Sequence, residues 1–166
     1  MAFSRRTLLQ HVRREYVLGW NGLHGVAHWA RVRYHGLALA AKTGASPRVV
    51  ELFAFLHDAR RRNDMRDHDH GKRSAWLVQD LGHRDLGLAV EELGLLAYAC
   101  REHSNGLLDA DITVQVCWDA DRLDLGRVGI EPHPDRLCTA AARDLRRIEL
   151  AIAWSQGAAL GPLALR

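Results

Sequence analysis

The sequence predicts an all-α fold. Apolar residues recur three and four apart through nearly every segment, and almost nowhere do they alternate as they would in a half-buried strand. Neither an internal repeat nor a shift in composition divides the 166 residues, which argues for one domain over 1–166. That length is enough to bury most of its apolar surface without a disulfide or metal staple.

The elements follow in order. Residues 3–18 read as an amphipathic opening helix capped by Ser4, and 19–22 as a turn. The next helix carries His24, His28, Val32, His35 and Leu39 on roughly one face and stops near Gly44. Ser46-Pro47 is an N-cap followed by proline at the first helical position, and opens a third helix that runs to about Asp58. The polar stretch 60–72 has no apolar period and is expected to cross the surface before a helix over 73–81. A helix over 86–103 ends at the turn residues Ser104-Asn105-Gly106, and another covers 111–125. A loop with Gly126, Gly129, Pro132 and Pro134 precedes a last long helix over 135–154 and a tail over 157–166.

Composition narrows the function. Hydrophobic residues make up 48% and charged residues 26%, an ordinary globular balance. Cys100, Cys117 and Cys138 are odd in number and lack any Cys-x-x-Cys pattern, which points to small core residues in a reducing compartment. The basic start at Arg5 and Arg6 is followed by Leu8, Leu9 and Val12 interrupted by polar residues, so no signal peptide is expected and the protein reads as cytoplasmic. Apolar runs such as 93–100 fall far short of the roughly 20 residues of a membrane span. The net charge of +3 comes with many arginines and few lysines, a balance suited to phosphate-bearing partners. No basic stripe with interleaved aromatics is present, so nucleic acid is not expected as a partner. No phosphate-binding glycine loop occurs, and Ser104 beside His103 does not form a nucleophile and base, because adjacent helical residues diverge.

The informative residues are dispersed: His28, the pair His57-Asp58, then His70, His103 and Asp121. Chance alone gives about one His-Asp dipeptide at this composition, so context must decide between the two present. His68-Asp69 lies in a polar string, whereas His57-Asp58 ends the apolar run Val49, Val50, Leu52, Phe53, Phe55, Leu56. Polar groups at the inner end of a core helix are costly unless paired or bound to metal. Imidazoles and carboxylates together suit borderline and hard divalent ions such as Mn, Mg, Fe, Co, Ni or Zn. Taken singly, His28 reads as an interfacial histidine, His70 as a solvated loop residue and His103 as a helix-ending residue.

Together, His28-Trp29-Ala30-Arg31-Val32, Leu56-His57-Asp58 and Ala120-Asp121-Arg122-Leu123 resemble the H…HD…D signature of the HD-domain superfamily of metal-dependent phosphohydrolases. The resemblance spans about 22–129, which it implies is the core of the domain, and implies a helical bundle with His28, His57, Asp58 and Asp121 as metal ligands. His70 and His103 resemble the extra histidines of two-metal members, including di-iron oxygenases related to myo-inositol oxygenase, which implies one or two ions. Asp119 competes with Asp121, but two positions apart on a helix they point apart; Asp119, Asp124 and His24 are candidates for orienting the ligands.

The expected function is hydrolysis of a small phosphorylated molecule or nucleotide by a metal-activated water. Asp58 would position the nucleophile, His70 or His103 would bind a second ion or donate a proton, and Arg31, Lys72, Arg73 or Arg122 would hold phosphate charge. Arg60, Arg61 and Arg62 read either as a solvated face or as supplying at most one side chain to a substrate phosphate. The alternatives are a di-iron oxygenase of the same fold and a nucleotide-binding protein without turnover. A homo-oligomer is compatible with the sequence, which leaves oligomeric state and substrate open.

Overall fold

The computed structural model describes residues 3–157. Seven α-helices run in the order α1 (Arg5–Glu15), α2 (Val26–Thr43), α3 (Pro47–Leu56), α4 (His70–Leu86), α5 (Val90–Glu102), α6 (Ile112–Leu123) and α7 (Leu145–Ser155). Two 3-10 turns, Leu125–Val128 and Pro134–Arg136, lie between α6 and α7. There is no strand among the described residues, and no helix in them is long and apolar enough to cross a membrane.

The bundle is organised around α3. From Val49 to Leu56 all its residues but Glu51 are buried, and a helix apolar on nearly every side belongs inside a core. α2, α4, α5 and α6 all pack against it, while α4 also pairs with α5 and α2 with α6. Burying each large side chain, such as Leu52, Phe53 or Leu56, contributes about 1.5–3 kcal/mol. The consequence for function is positional. Whatever follows Leu56 in the chain is delivered to the interior, and that is His57-Asp58.

Local signals set the helix ends. Ser46 accepts from the Val49 N–H and Pro47 occupies the first turn of α3, as the sequence predicts. α2 starts later than expected, at Val26. Its Gly25 packs so closely on the preceding turn that a Cβ there would lie 2.1 Å from the Trp20 carbonyl. His24 therefore sits off the helix. α4 starts at His70, earlier than the expected 73, and its regular part ends where the sequence placed it, because Gly82 breaks it at φ 69°, ψ 166°.

The largest departure is the last helix. Only Leu145–Ser155 of the expected 135–154 is helical, apart from the short turn at Pro134–Arg136. The physical reason is Asp119. Its buried carboxylate accepts from the backbone N–H groups of Cys138 and Thr139 and from the Thr139 hydroxyl, which removes those donors from any helix. Asp119 points away from the histidines. The expected tail over 157–166 lies outside the described residues except for Gly157.

Candidate metal centre

Five elements converge on one buried cluster. α2 brings His28, the end of α3 brings His57 and Asp58, the first residue of α4 is His70, the residue after α5 is His103, and the last turn of α6 brings Asp121. All four histidines are at most 5% exposed. Close approach of α4 and α5 depends on Gly71, where a Cβ would meet the carbonyl oxygens of Cys100 and Arg101 at 2.7 Å. Gly71→Ala forces these helices apart or strains them, at about 1–3 kcal/mol.

Each histidine is oriented through Nδ1. His28 Nδ1 donates to Asp124 at 2.7 Å, a carboxylate that also takes Arg31. His57 Nδ1 donates to the Phe53 carbonyl at 3.0 Å, His103 Nδ1 to the Cys100 carbonyl at 2.7 Å, and His70 Nδ1 to the Asp67 carbonyl. Since every partner is an acceptor, these contacts assign the proton to Nδ1 and leave a lone pair on each Nε2. The Nε2 atoms of His28 and His57 nevertheless lie 3.0 Å apart, and those of His70 and His103 2.8 Å apart. Two facing lone pairs at that distance repel unless a cation sits between or beside them.

Asp58 joins the two pairs. Its Oδ2 lies 3.8 Å from His28 Nε2 and 3.7 Å from His57 Nε2, whereas its Oδ1 lies 3.4 Å from His70 Nε2 and 3.6 Å from His103 Nε2. Asp121 Oδ1 faces the first pair at 3.4 and 3.6 Å. Both Asp58 Oδ1 and Asp121 Oδ1 are buried and without a hydrogen-bond partner among the described residues. His24 Nδ1 holds Asp58 Oδ2 at 2.9 Å. His28, His57 and Asp58, and separately Asp58, His70 and His103, thus form two groups able to hold a metal ion.

The donor set fits a divalent metal. Two imidazole nitrogens each about 2.1 Å from one ion and at right angles to each other lie about 3.0 Å apart, which matches both Nε2 pairs. The protonation states fit as well, since ligation needs neutral imidazole and ionised carboxylate. Burial lowers the pKa of His28 well below the usual value and also lowers that of His57. His70 is pushed down to about 4, again by burial, with His103 adding to the effect. Burial works against the carboxylates, yet His57 and its neighbours hold Asp58 well below the usual range and lower Asp121 as well. His103 differs: burial lowers it, but Asp58 more than compensates and raises it.

A cavity of about 360 Å³ opens onto this cluster. Asp58, Asp121, His70 and His103 form part of its wall, along with Arg61, Arg122, Arg127 and Arg136. Of Arg31, Lys72, Arg73 and Arg122, only Arg122 reaches this wall. Arg31 is committed to Asp124, behind His28. Lys72 points to solvent beside Asp69, and Arg73 pairs with Asp67 and the Arg60 carbonyl. Of the Arg60 to Arg62 run, Arg61 lines the cavity, 3.5 Å from Asp58 Oδ1. Arg127 and Arg136 were not anticipated. Arg127 lies in the turn read as a plain glycine loop, and Arg136 in the segment read as helix.

The fold and cluster define a helical protein with a buried histidine–aspartate centre beneath an arginine-lined cavity. Among solved structures, the crystal structure of a predicted HD superfamily hydrolase from an uncultured Thermotogales bacterium matches with a TM-score of 0.70. The match covers 90% of this chain and 86% of that one at 22% identity. The chain therefore shares the fold of that predicted HD superfamily hydrolase, in agreement with the helical bundle that the motif resemblance implies. No protein-family model matches the chain, and no curated protein matches it significantly.

Proposed function

We propose that this protein is a metal-dependent phosphohydrolase acting on a small phosphorylated molecule or nucleotide. The observation that carries the proposal is the shared cavity wall: four guanidinium groups face the same space as the histidine–aspartate cluster. Guanidinium binds phosphate oxygens through paired N–H donors. The HD hydrolase named above is the structural likeness that agrees with it.

In this reading His28, His57, Asp58 and Asp121 hold one divalent ion, and Asp58, His70 and His103 hold a second. Such ions polarise a phosphoryl oxygen and acidify the attacking water. The protein's own residues do the rest. Asp124 and the carbonyls of Phe53, Asp67 and Cys100 keep the four Nε2 atoms aimed inward, which fixes the ligands before substrate arrives. His24 fixes the rotation of Asp58. Arg61, beside Asp58, and Arg122 across the cavity bind the non-bridging phosphate oxygens and stabilise the charge that builds on them. Water adds to phosphorus, the bond to the leaving oxygen breaks, and a proton passes to that oxygen, giving an alcohol and inorganic phosphate.

The test is phosphate release from a panel of phosphomonoesters and nucleotides, with the protein reconstituted in turn with Mn, Co, Ni, Zn, Mg and Fe(II). The proposal expects hydrolysis that chelation abolishes and that Asp58→Ala lacks. Full activity in Asp58→Ala would overturn it. Oxygen consumption with two irons per chain and no phosphate release would replace it with the oxygenase chemistry that the same ligand set can support.

A further inference from the structure

Arg122 is a buried cation held only by uncharged acceptors. It is 7% exposed, and it donates to the carbonyls of Leu107 at 2.6 Å and Arg136 at 3.1 Å and to the Cys138 sulfur. Its guanidinium lies over the Trp118 ring. No carboxylate pairs with it among the described residues. Carbonyls fix the position of a guanidinium without cancelling its charge, and an uncompensated buried charge is costly unless something else brings the anion.

Its neighbours also lack a close carboxylate of their own. Arg127 is held by the carbonyls of Leu23 and Asp124, and its one carboxylate contact, Asp124, lies at 3.9 Å and is already taken by Arg31. Arg136 makes no ion pair among the described residues. These three arginines come from α6 and the turns after it, whereas Arg61 comes from the turn after α3 and touches Asp58. Arg122 and Arg136, joined through the Arg136 carbonyl, thus form a cationic patch on the cavity wall, while Arg127, like Arg61, acts on the cluster itself, close to His28 and Asp121.

Charge balance decides what this wall is for. One divalent ion offsets Asp58 and Asp121, which leaves four guanidinium charges facing the cavity. A phosphomonoester dianion answers only two of them, and a second ion widens the gap. We infer that the substrate carries two separate phosphate groups, one cleaved at the histidine–aspartate cluster beside Arg61 and Arg127 and the other held by Arg122 and Arg136. Leu125 and Val128 offer apolar wall for the carbon body between the phosphates. The cavity volume is in the range that takes a small metabolite. This inference rests on the hydrolase reading above.

Calorimetry on the metal-loaded full chain tests it with butylphosphonate, which carries one anionic group, and with ethane-, propane- and butane-bisphosphonate, which carry two. The expected result is that the best bisphosphonate binds about tenfold or more tighter than butylphosphonate, since one added charge-paired contact is worth at least that. Arg122→Gln and the exposed Arg136→Gln each reduce that preference to about twofold, whereas Arg6→Gln, which removes the same charge from α1, preserves it. Because Arg122→Gln is buried and can unfold, the Arg136→Gln result is decisive. Equal binding of mono- and bisphosphonates by the wild type, or a preference that survives Arg136→Gln, overturns the inference while leaving the hydrolase reading in place. Butylphosphonate binding that is unchanged by chelation overturns the hydrolase reading itself, and no phosphonate binding at all removes both.

Discussion

In the proposed metal centre the two histidine pairs would do the same chemical job from different surroundings. His28 and His57 are wholly buried, and one is steadied by a carboxylate that an arginine holds in turn. His70 and His103 sit at helix ends on the cavity wall, each steadied through Nδ1 by a backbone carbonyl a few residues away, and Arg61 also reaches His70 Nε2 at 3.2 Å. A ligand pair locked by the core keeps its geometry as the protein breathes, while one at helix termini moves with local fraying. The difference implies an inner ion that is structural and tightly retained and an outer ion that exchanges.

Asp58 is where the comparison breaks most completely, because both pairs need it. Asp58→Ala is expected to remove both ions and lower hydrolysis on the order of a thousandfold or more, read from metal content and phosphate release on the same preparation. His70→Ala separates the pairs: it is expected to release the outer ion while the inner one survives dialysis, and elemental analysis showing loss of both would collapse the distinction. Asp124→Asn acts on the inner pair alone. It weakens the hold on the His28 ring and should reduce inner-ion affinity about 10–100-fold, measured by competition with a chromophoric chelator.

The smallest effect concerns a histidine beyond the inner pair. His35 is buried with neither ring nitrogen hydrogen-bonded among the described residues, and burial pushes its pKa down to about 4. Its folded-state value lies below the unfolded one, so its neutral form favours folding above about pH 6.5, and that advantage is lost as pH falls toward 4. The full loss is up to about 3 kcal/mol. Urea unfolding of the wild type should show it, and His35→Leu should flatten the decline between those pH values.

The residues that cluster were legible because they stand in a recognisable order with informative neighbours. His57-Asp58 stood out against His68-Asp69 because an apolar run precedes it, and the burial of α3 gives that contrast its physical basis. Helical geometry says only that Asp119 and Asp121 point apart, and the Ala120-Asp121-Arg122-Leu123 resemblance is what favours Asp121. The arginine wall was not legible in the same way. Arg127 and Arg136 sit in irregular segments, where no period announces which way a side chain faces. Arg31 and Arg73 were drawn away by Asp124 and Asp67, tertiary pairings that spacing does not encode. The last helix failed for a related reason, since a carboxylate nineteen residues earlier claims the N–H of Cys138.

The sharing of Asp58 between the two pairs is the centre of this account, and metal stoichiometry tests it most directly. Elemental mass spectrometry of the reconstituted wild type, His70→Ala and Asp58→Ala, each confirmed as folded by circular dichroism, should give two ions per chain, one and none. Wild-type metal content in folded Asp58→Ala would contradict it.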